Sequence, residues 1–278
     1  MPYNLIFRIC EKKFDVKIII SLSMAQITIP KNTLSSFEEL HNRIIADAET
    51  TTGNYQVKLD NKIMLTDVKS YVDQLISGMI PLDEVMGQSY IHKNGFQKIV
   101  LGRCRGFALR FHRYIPGVGD KNIHDHRWSR MDSFVLEGNL IADYLYHSDN
   151  KINPSIKFQH HTYTKVGQDY IVKHEGETYL RVYKQTSHPT GCLYSMTSKQ
   201  LHRILPSDNP VGTLVVTHPV PQDRVWCNLY QKYVIEELEP VHEERLTHEQ
   251  MMISLRHLSY LLSQHIDRKH REALKEGC

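Results

Sequence analysis

At 278 residues, with 41% hydrophobic side chains and a formal charge of only +3, the chain can bury one large core and carries no basic tail for nucleic acid. Its five cysteines, Cys10, Cys104, Cys192, Cys227 and Cys278, are odd in number and form no C-x-x-C. That pattern argues against a disulfide framework or a zinc ribbon and for a reducing, cytoplasmic compartment. No run reaches the roughly 20 apolar residues that a membrane-spanning helix needs.

Residues 1–33 read as an N-terminal strand or extended segment. Within them "EKKFDVKIIISLSMAQ" has the lysines, short apolar run and small-residue ending of a cleaved signal, although Asp15 and two serines interrupt it. Met24 is a second candidate start. Residues 34–95 read as a helical flank. Ser36 and Glu39 form a capping box, and Phe37, Leu40, Ile44 and Ala48 follow at helical spacing. Val68, Val72, Leu75 and Ile76 repeat the pattern up to Gly78 and Pro81.

From 96 to 240 the texture changes to short strands with Gly and Pro punctuation, which suggests a sandwich, jelly roll or small barrel. In "FALRFHRY" Phe107, Leu109 and Phe111 share one face, and Arg110, His112 and Tyr114 share the other. Two readings of that strand stand: the polar face turns into the barrel, or it meets solvent and the apolar face is core. "FVLEGNLIADYLYH" reads as two strands joined near Glu137-Gly138-Asn139, with Tyr144 and Tyr146 on one face. The stretch 157–185 reads as hairpins turned at Val166-Gly167-Gln168 and Glu175-Gly176-Glu177. His160, His161, His174 and His188 in this region are expected at the surface. Residues 241–278 hold a long helix with a Thr247/Gln250 capping box and a stripe of Met251, Leu255, Leu258, Leu262 and Ile266, ended by Gly277. That stripe either covers the barrel or makes a homodimer.

The chemistry-bearing stretch is "NIHDHRW", residues 122–128. His-x-His on a strand places both imidazoles on one face, a platform for a metal ion if a third ligand comes from another strand. His202 in "LHRIL" stands between apolar residues on a later strand and is that candidate. P-loop, GxGxxG, GxSxG and HExxH motifs are absent, and "VHEER" lies in a charged linker.

"IHDHRWSRMDSFVLEGNLIADYLY", with "KQLHRIL" downstream, resembles the cupins, and among them the cysteine dioxygenase-like thiol dioxygenases. The likeness spans residues 66–230 and includes the step from His124 to Gly138 in a G-N-L turn. It implies a double-stranded β-helix (jelly-roll barrel); with the helical patterns above, the expectation is a mainly β fold with N-terminal helices and a long C-terminal amphipathic helix. It also implies one Fe(II) held by His124, His126 and His202, with Zn, Mn or Ni as alternatives. The glutamate usual in cupins is replaced by Arg130, as in the cysteine dioxygenase type. Other positions depart from that type. Met131 stands where the family has a cross-linking cysteine, and the family's Tyr-x-Arg pair becomes Tyr90 and His92. No serine-histidine-tyrosine cluster appears, although His218 lies close to its place. The interval from His126 to His202 is longer than the family norm, with the extra in 147–200.

Together these features imply an Fe(II)-dependent oxygenase acting on a thiol or other small anionic substrate with O2. Tyr90, His92, Arg110, His112 and His218 are the candidate substrate-handling residues. A non-enzymatic cupin that binds a small ligand or partner, and a metal-dependent isomerase or lyase, are the alternatives. No nucleic-acid or membrane partner is expected.

Overall fold

The computed structural model describes residues 36–49, 57–148, 155–166, 169–224, 226–234 and 244–276. The expectations for residues 1–33, for Gly167, Gln168, Gly277 and Cys278, and for the start of "VHEER" lie outside them. The described residues all belong to one compact unit.

Three helices come first: α1 (Phe37–Glu49), α2 (Lys62–Ser77) and α3 (Asp83–Gln88). Strands follow as β1 (Tyr90–Ile91), β2 (Gln97–Cys104), β3 (Phe107–Tyr114), β4 (Ile123–His124), β5 (Arg130–Glu137) and β6 (Asn139–His147). Then come β7 (Ile156–Val166), β8 (Asp169–Pro189), β9 (Leu193–Thr197), β10 (Leu201–Ile204), β11 (Val211–Thr217), β12 (Trp226–Gln231) and β13 (Glu244–Arg245). Helix α4 (His248–Glu276) ends the described chain. No helix among the described residues is long and apolar enough to cross a membrane.

Strand order fixes the architecture. One sheet runs β13-β1-β2-β3-β11-β5-β9, and the other runs β10-β4-β12-β7-β8-β6 and closes through β6 and β10. Setting aside β7 and β12 and the β13-β1-β2 extension of the first sheet leaves eight strands in chain order: β3, β4, β5, β6, β8, β9, β10 and β11. They fall into sheets as first-eighth-third-sixth and second-seventh-fourth-fifth. That is the double-stranded β-helix, a jelly roll of two antiparallel sheets.

The first sheet is buried on both faces. Its outer face presents Ile99, Leu101, Leu109, Phe111, Phe134, Leu136, Leu214 and Val216 to the helices, where they join Val68, Val72 and Leu75 of α2 and Met251, Leu255, Leu258 and Leu262 of α4 in one core. Its inner face carries Tyr114, Met131, Val135 and Val215, which meet Leu140, Ala142, Tyr144 and Ile204 of the second sheet. The polar side of β3 therefore points into the barrel, and the solvent reading of that face does not hold. The α4 stripe packs on the first sheet and α2 within the chain.

The helix signals act as read. The Ser36 hydroxyl accepts from Glu39 N at 3.3 Å, and Thr247 and Gln250 cap each other at 2.8 and 3.2 Å. Asn61 caps α2, and Gly78, at φ 75°, ends it.

The hairpin expectation is corrected at one of its two turns. β8 runs unbroken through Gly176, whose φ of +119° sits opposite His160 where the β7–β8 register shifts, so Gly176 marks a bulge rather than a turn. β7 and β8 pair as far as Val166 and Asp169.

Gly138 links strands of different sheets and is a corner rather than a hairpin turn. Its φ is +77°, and a Cβ there would collide with the Pro210 carbonyl oxygen. Gly117 has nearly the same φ, +78°, but nothing within 4 Å of an added Cβ. Replacing Gly117 with Ala should cost about 1–2 kcal/mol for the left-handed backbone alone. Gly138→Ala adds an overpacking cost of about 1–3 kcal/mol. Urea unfolding of the two variants should therefore show the larger loss at Gly138.

Candidate metal centre

The second and seventh strands of the jelly roll bring the histidines together. His124 on β4 pairs directly with His202 on β10, so both side chains leave the sheet on the inner side. His126 follows two residues after His124. Their intervening Asp125 is buried and points away, its carboxylate accepting from Asn228 N (2.7 Å), Asn228 Nδ2 (2.6 Å) and Arg224 Nη2 (2.6 Å). Asp125 thus fastens the turn that holds the two imidazoles. The His126 backbone N–H donates to Ser198 O at 3.2 Å and ties the end of the motif to the loop before β10.

One ligating atom from each of the three histidines lies within 4.8 Å of the others. Ring centroids are 5.1 Å apart for His124 and His126, 4.6 Å for His124 and His202, and 4.9 Å for His126 and His202. Nδ1 of His124 donates to Asn122 O at 3.2 Å and Nδ1 of His202 to Gln200 O at 3.1 Å. A carbonyl can only accept, so each Nδ1 carries the proton and each Nε2 keeps its lone pair for a ligand. Burial pushes His124 and His202 down to about 4, and His126, buried and facing the other two, is held well below its ordinary value. All three are neutral at pH 7, the state in which imidazole binds a metal. The donor set fits a nitrogen-liking divalent ion with further positions open.

A cavity of about 200 Å³ surrounds the trio, smaller than the pockets that take drug-sized ligands, which start near 300 Å³. Its opposite wall is a transverse row on the first sheet. Tyr90, Lys98, His112 and Thr213 are in register across β1, β2, β3 and β11, and all four line the cavity. Lys98 Nζ donates to the Tyr90 hydroxyl at 2.9 Å. Burial, with the Lys98 charge next, holds His112 neutral; His92 is lowered by burial, then by Lys98 and Lys93. His92 stacks on Phe96 at 4.5 Å. Asp120 accepts from Asn94 Nδ2 (2.6 Å) and Ile204 N (2.7 Å), and burial raises its pKa.

Of the five candidates for substrate handling, Tyr90, His92 and His112 line the cavity. Arg110 is 2% exposed and lies behind it, its guanidinium 4.5 Å from the Trp128 ring centroid. His218 is not brought to the cavity. It lies beside Phe107 on the helix-facing side of the first sheet and meets Asp132 at 2.8 Å. Arg130, at the position where many cupins carry a glutamate, also turns to Asp132 (2.8 Å) and to Ser195 (2.9 Å).

Surface placement fails for two histidines of the 147–200 stretch. His161 is fully buried, and His188 is buried against Tyr194, ring centroids 4.2 Å apart. His174 is exposed and His160 is half-buried. That stretch also supplies Tyr163 to the cavity, with Lys93 Nζ 4.3 Å above its ring. Sequence reasoning missed Lys98, Asp120 and Trp128. The signal for Lys98 was present in "FQKIV": it shares strand parity with Phe96 and Val100, the parity that proves to face inward.

No family model and no curated protein matches the chain. Solved structures do. A Klebsiella pneumoniae uncharacterized protein with a double-stranded β-helix domain is 15% identical, covering 55% of this chain and 96% of that one at a TM-score of 0.30. An RmlC-like cupin from Shewanella frigidimarina is 12% identical, covering 49% and 86% at 0.29. Lactobacillus farciminis oxalate decarboxylase, in a formate complex, is 8% identical, covering 53% of this chain and 33% of its own at 0.30. At such TM-scores these likenesses carry no argument, and the fold assignment rests on the strand order.

The lowered imidazoles have a consequence for stability. The unfolded chain takes up protons at His124 and His202 near pH 6.5, whereas the folded chain refuses them until about pH 4. Between those values the unfolded state binds more protons, so stability falls as pH falls. The urea midpoint of the metal-free protein should drop steadily from pH 6.5 to 4. His202→Phe should flatten that slope.

Proposed function

We propose that the chain is a mononuclear non-haem Fe(II) oxygenase of the cysteine dioxygenase-like cupin type, acting on a thiol or another small anionic substrate with O2. The observation that carries this reading is the all-imidazole trio facing a cationic wall inside a closed jelly roll. Three neutral ligands leave the charge of a divalent ion uncompensated, which favours an anionic donor as the next ligand. Arg130 supports the reading, because it stands where many cupins carry a glutamate and its side chain is engaged with Asp132.

A ferrous ion held here would supply open positions for substrate and O2 and the electrons that activate O2. The residues of the chain do the rest. The Lys98 ammonium and the Tyr90 hydroxyl hold the anionic end of the substrate on the wall opposite the imidazoles. Phe96, Trp128, Met131 and Met196 give the cavity apolar lining that excludes water. For a thiolate the balance is RS⁻ + O2 → RSO2⁻. Both oxygen atoms enter the product, and no external reductant is consumed.

The test is metal analysis of protein from iron-supplemented cells, followed by O2 uptake with small thiols and carboxylates. About one iron per chain is expected, lost in His124→Ala and His202→Ala without loss of fold. Lys98→Met should keep the metal and raise KM roughly 10- to 100-fold, the worth of a hydrogen bond to a charged group. Turnover without O2 would favour a metal-dependent isomerase or lyase. A protein that binds no metal, even after anaerobic Fe(II) addition, would be a binding module instead.

A further inference from the structure

Beside the histidines, the inner face of the second sheet carries a row that the trio does not use. Cys227 and Leu229 are two residues apart on β12, and both line the cavity. Leu229 pairs with His124 and Cys227 with Tyr163 of β7, so Cys227 and Tyr163 form the next transverse row on the same face. Lys93 meets this row from the turn between β1 and β2. It is an exposed residue of the cavity wall, yet its Nζ lies 4.3 Å from the centre of the Tyr163 ring. The turn is tied to a ligand strand. His92 N donates to Phe96 O at 2.8 Å, and Asn94 Nδ2 donates to Asp120, which also accepts from Ile204 N, two residues after His202. Among the described residues the Lys93 ammonium has no hydrogen bond and no ion pair. Asp120 attracts it from a distance, but that carboxylate is engaged by Asn94 and Ile204. An aromatic face attracts a cation without neutralising it.

We propose that Lys93 forms a second anion subsite, so that the substrate is a small acid with two carboxylates and its metal donor between them. The inference rests on the reading of the trio as a metal centre with Lys98 and Tyr90 holding one anionic end. Both lysines come from the β1–β2 hairpin, but they serve different walls. Lys98 stands on the first sheet beside Tyr90 and His112, and Lys93 stands against Tyr163 and Cys227 of the second. The charges of both reach His124. A monocarboxylate held by Lys98 leaves the Lys93 ammonium with the Tyr163 ring alone. A second carboxylate gives it a charge-assisted hydrogen bond.

Thiolate binding to the Co(II)-loaded protein, followed by its charge-transfer absorption, tests this without turnover. Mercaptosuccinate has two carboxylates, whereas 3-mercaptopropionate and mercaptoacetate each keep one. The wild type should bind mercaptosuccinate about tenfold or more tightly than either monocarboxylate, the worth of a hydrogen bond to a charged group. Lys93→Met should lower that preference at least about fivefold, and Lys93→Arg, which keeps the charge, should retain it. Circular dichroism and Co(II) uptake report whether the variants fold, and Lys93→Gln takes the place of Lys93→Met if that one does not. Equal binding of the three thiols by the wild type would overturn the subsite. So would a preference that survives in Lys93→Met, or an equal loss of affinity for all three. Wild-type protein that takes up no Co(II), or gives no thiolate band, would overturn the reading on which the subsite rests, a result distinct from the others.

Discussion

The pairing of His124 with His202 across β4 and β10 is the contact on which the rest of the centre depends. Side chains alternate along a strand, so a one-residue slip in this ladder would turn one imidazole out of the barrel. β4 is only two residues long and cannot set its register alone. Its neighbours do so: β12 pairs with it on the other side, and Asp125 locks its far end to Asn228 and Arg224. Three donors from outside the motif offset part of the cost of burying that carboxylate, although burial still raises its pKa. The His-x-His pair is thus held by the residue between its members.

The first sheet divides the molecule's labour between its faces. The outer face is almost wholly apolar and is covered by α2 and α4, so its stability does not depend on the cavity. The inner face can then carry Lys98, His112 and Arg110, groups that a barrel with one buried face could not accommodate so cheaply. Where the outer face does hold polar groups, at Asp132, Ser195, Arg130 and His218, they satisfy one another, and Asp132 also accepts from Val57 N at 3.3 Å. That network fastens the connection between α1 and α2 to the sheet rather than serving the cavity.

Much of this was legible in the amino-acid sequence. The helix caps and the α4 stripe are local patterns, and the three histidines stood out through spacing and family resemblance. What failed did so for identifiable reasons. Alternation in β3 separates two faces but cannot tell which is inside when both are buried. Gly176 has the composition of a turn, yet a long strand absorbs it as a bulge because β7 continues opposite it. His218 lies one residue past β11, where strand parity no longer fixes direction. His188 is buried against Tyr194 of β9 and His161 packs on His174, contacts that strand alternation alone does not report. Lys98 belongs to the cavity only because register carries it beside Tyr90 and His112.

The order in which the chain closes has a consequence for its folding. β13 pairs with β1, and α4 packs on α2, so the last described elements complete surfaces laid down by the first. β3 pairs with β11, and β4 with β10, across shorter but still long spans. Contacts of such high sequence separation make folding slow, because loop-closure entropy is lost before the contacts form. During synthesis the outer face of the first sheet stays only partly covered, by α2, until α4 leaves the ribosome. The barrel and its histidine trio therefore assemble as one late event, and a chain stopped before residue 248 would bare the outer-face side chains that Met251, Leu255, Leu258 and Leu262 cover.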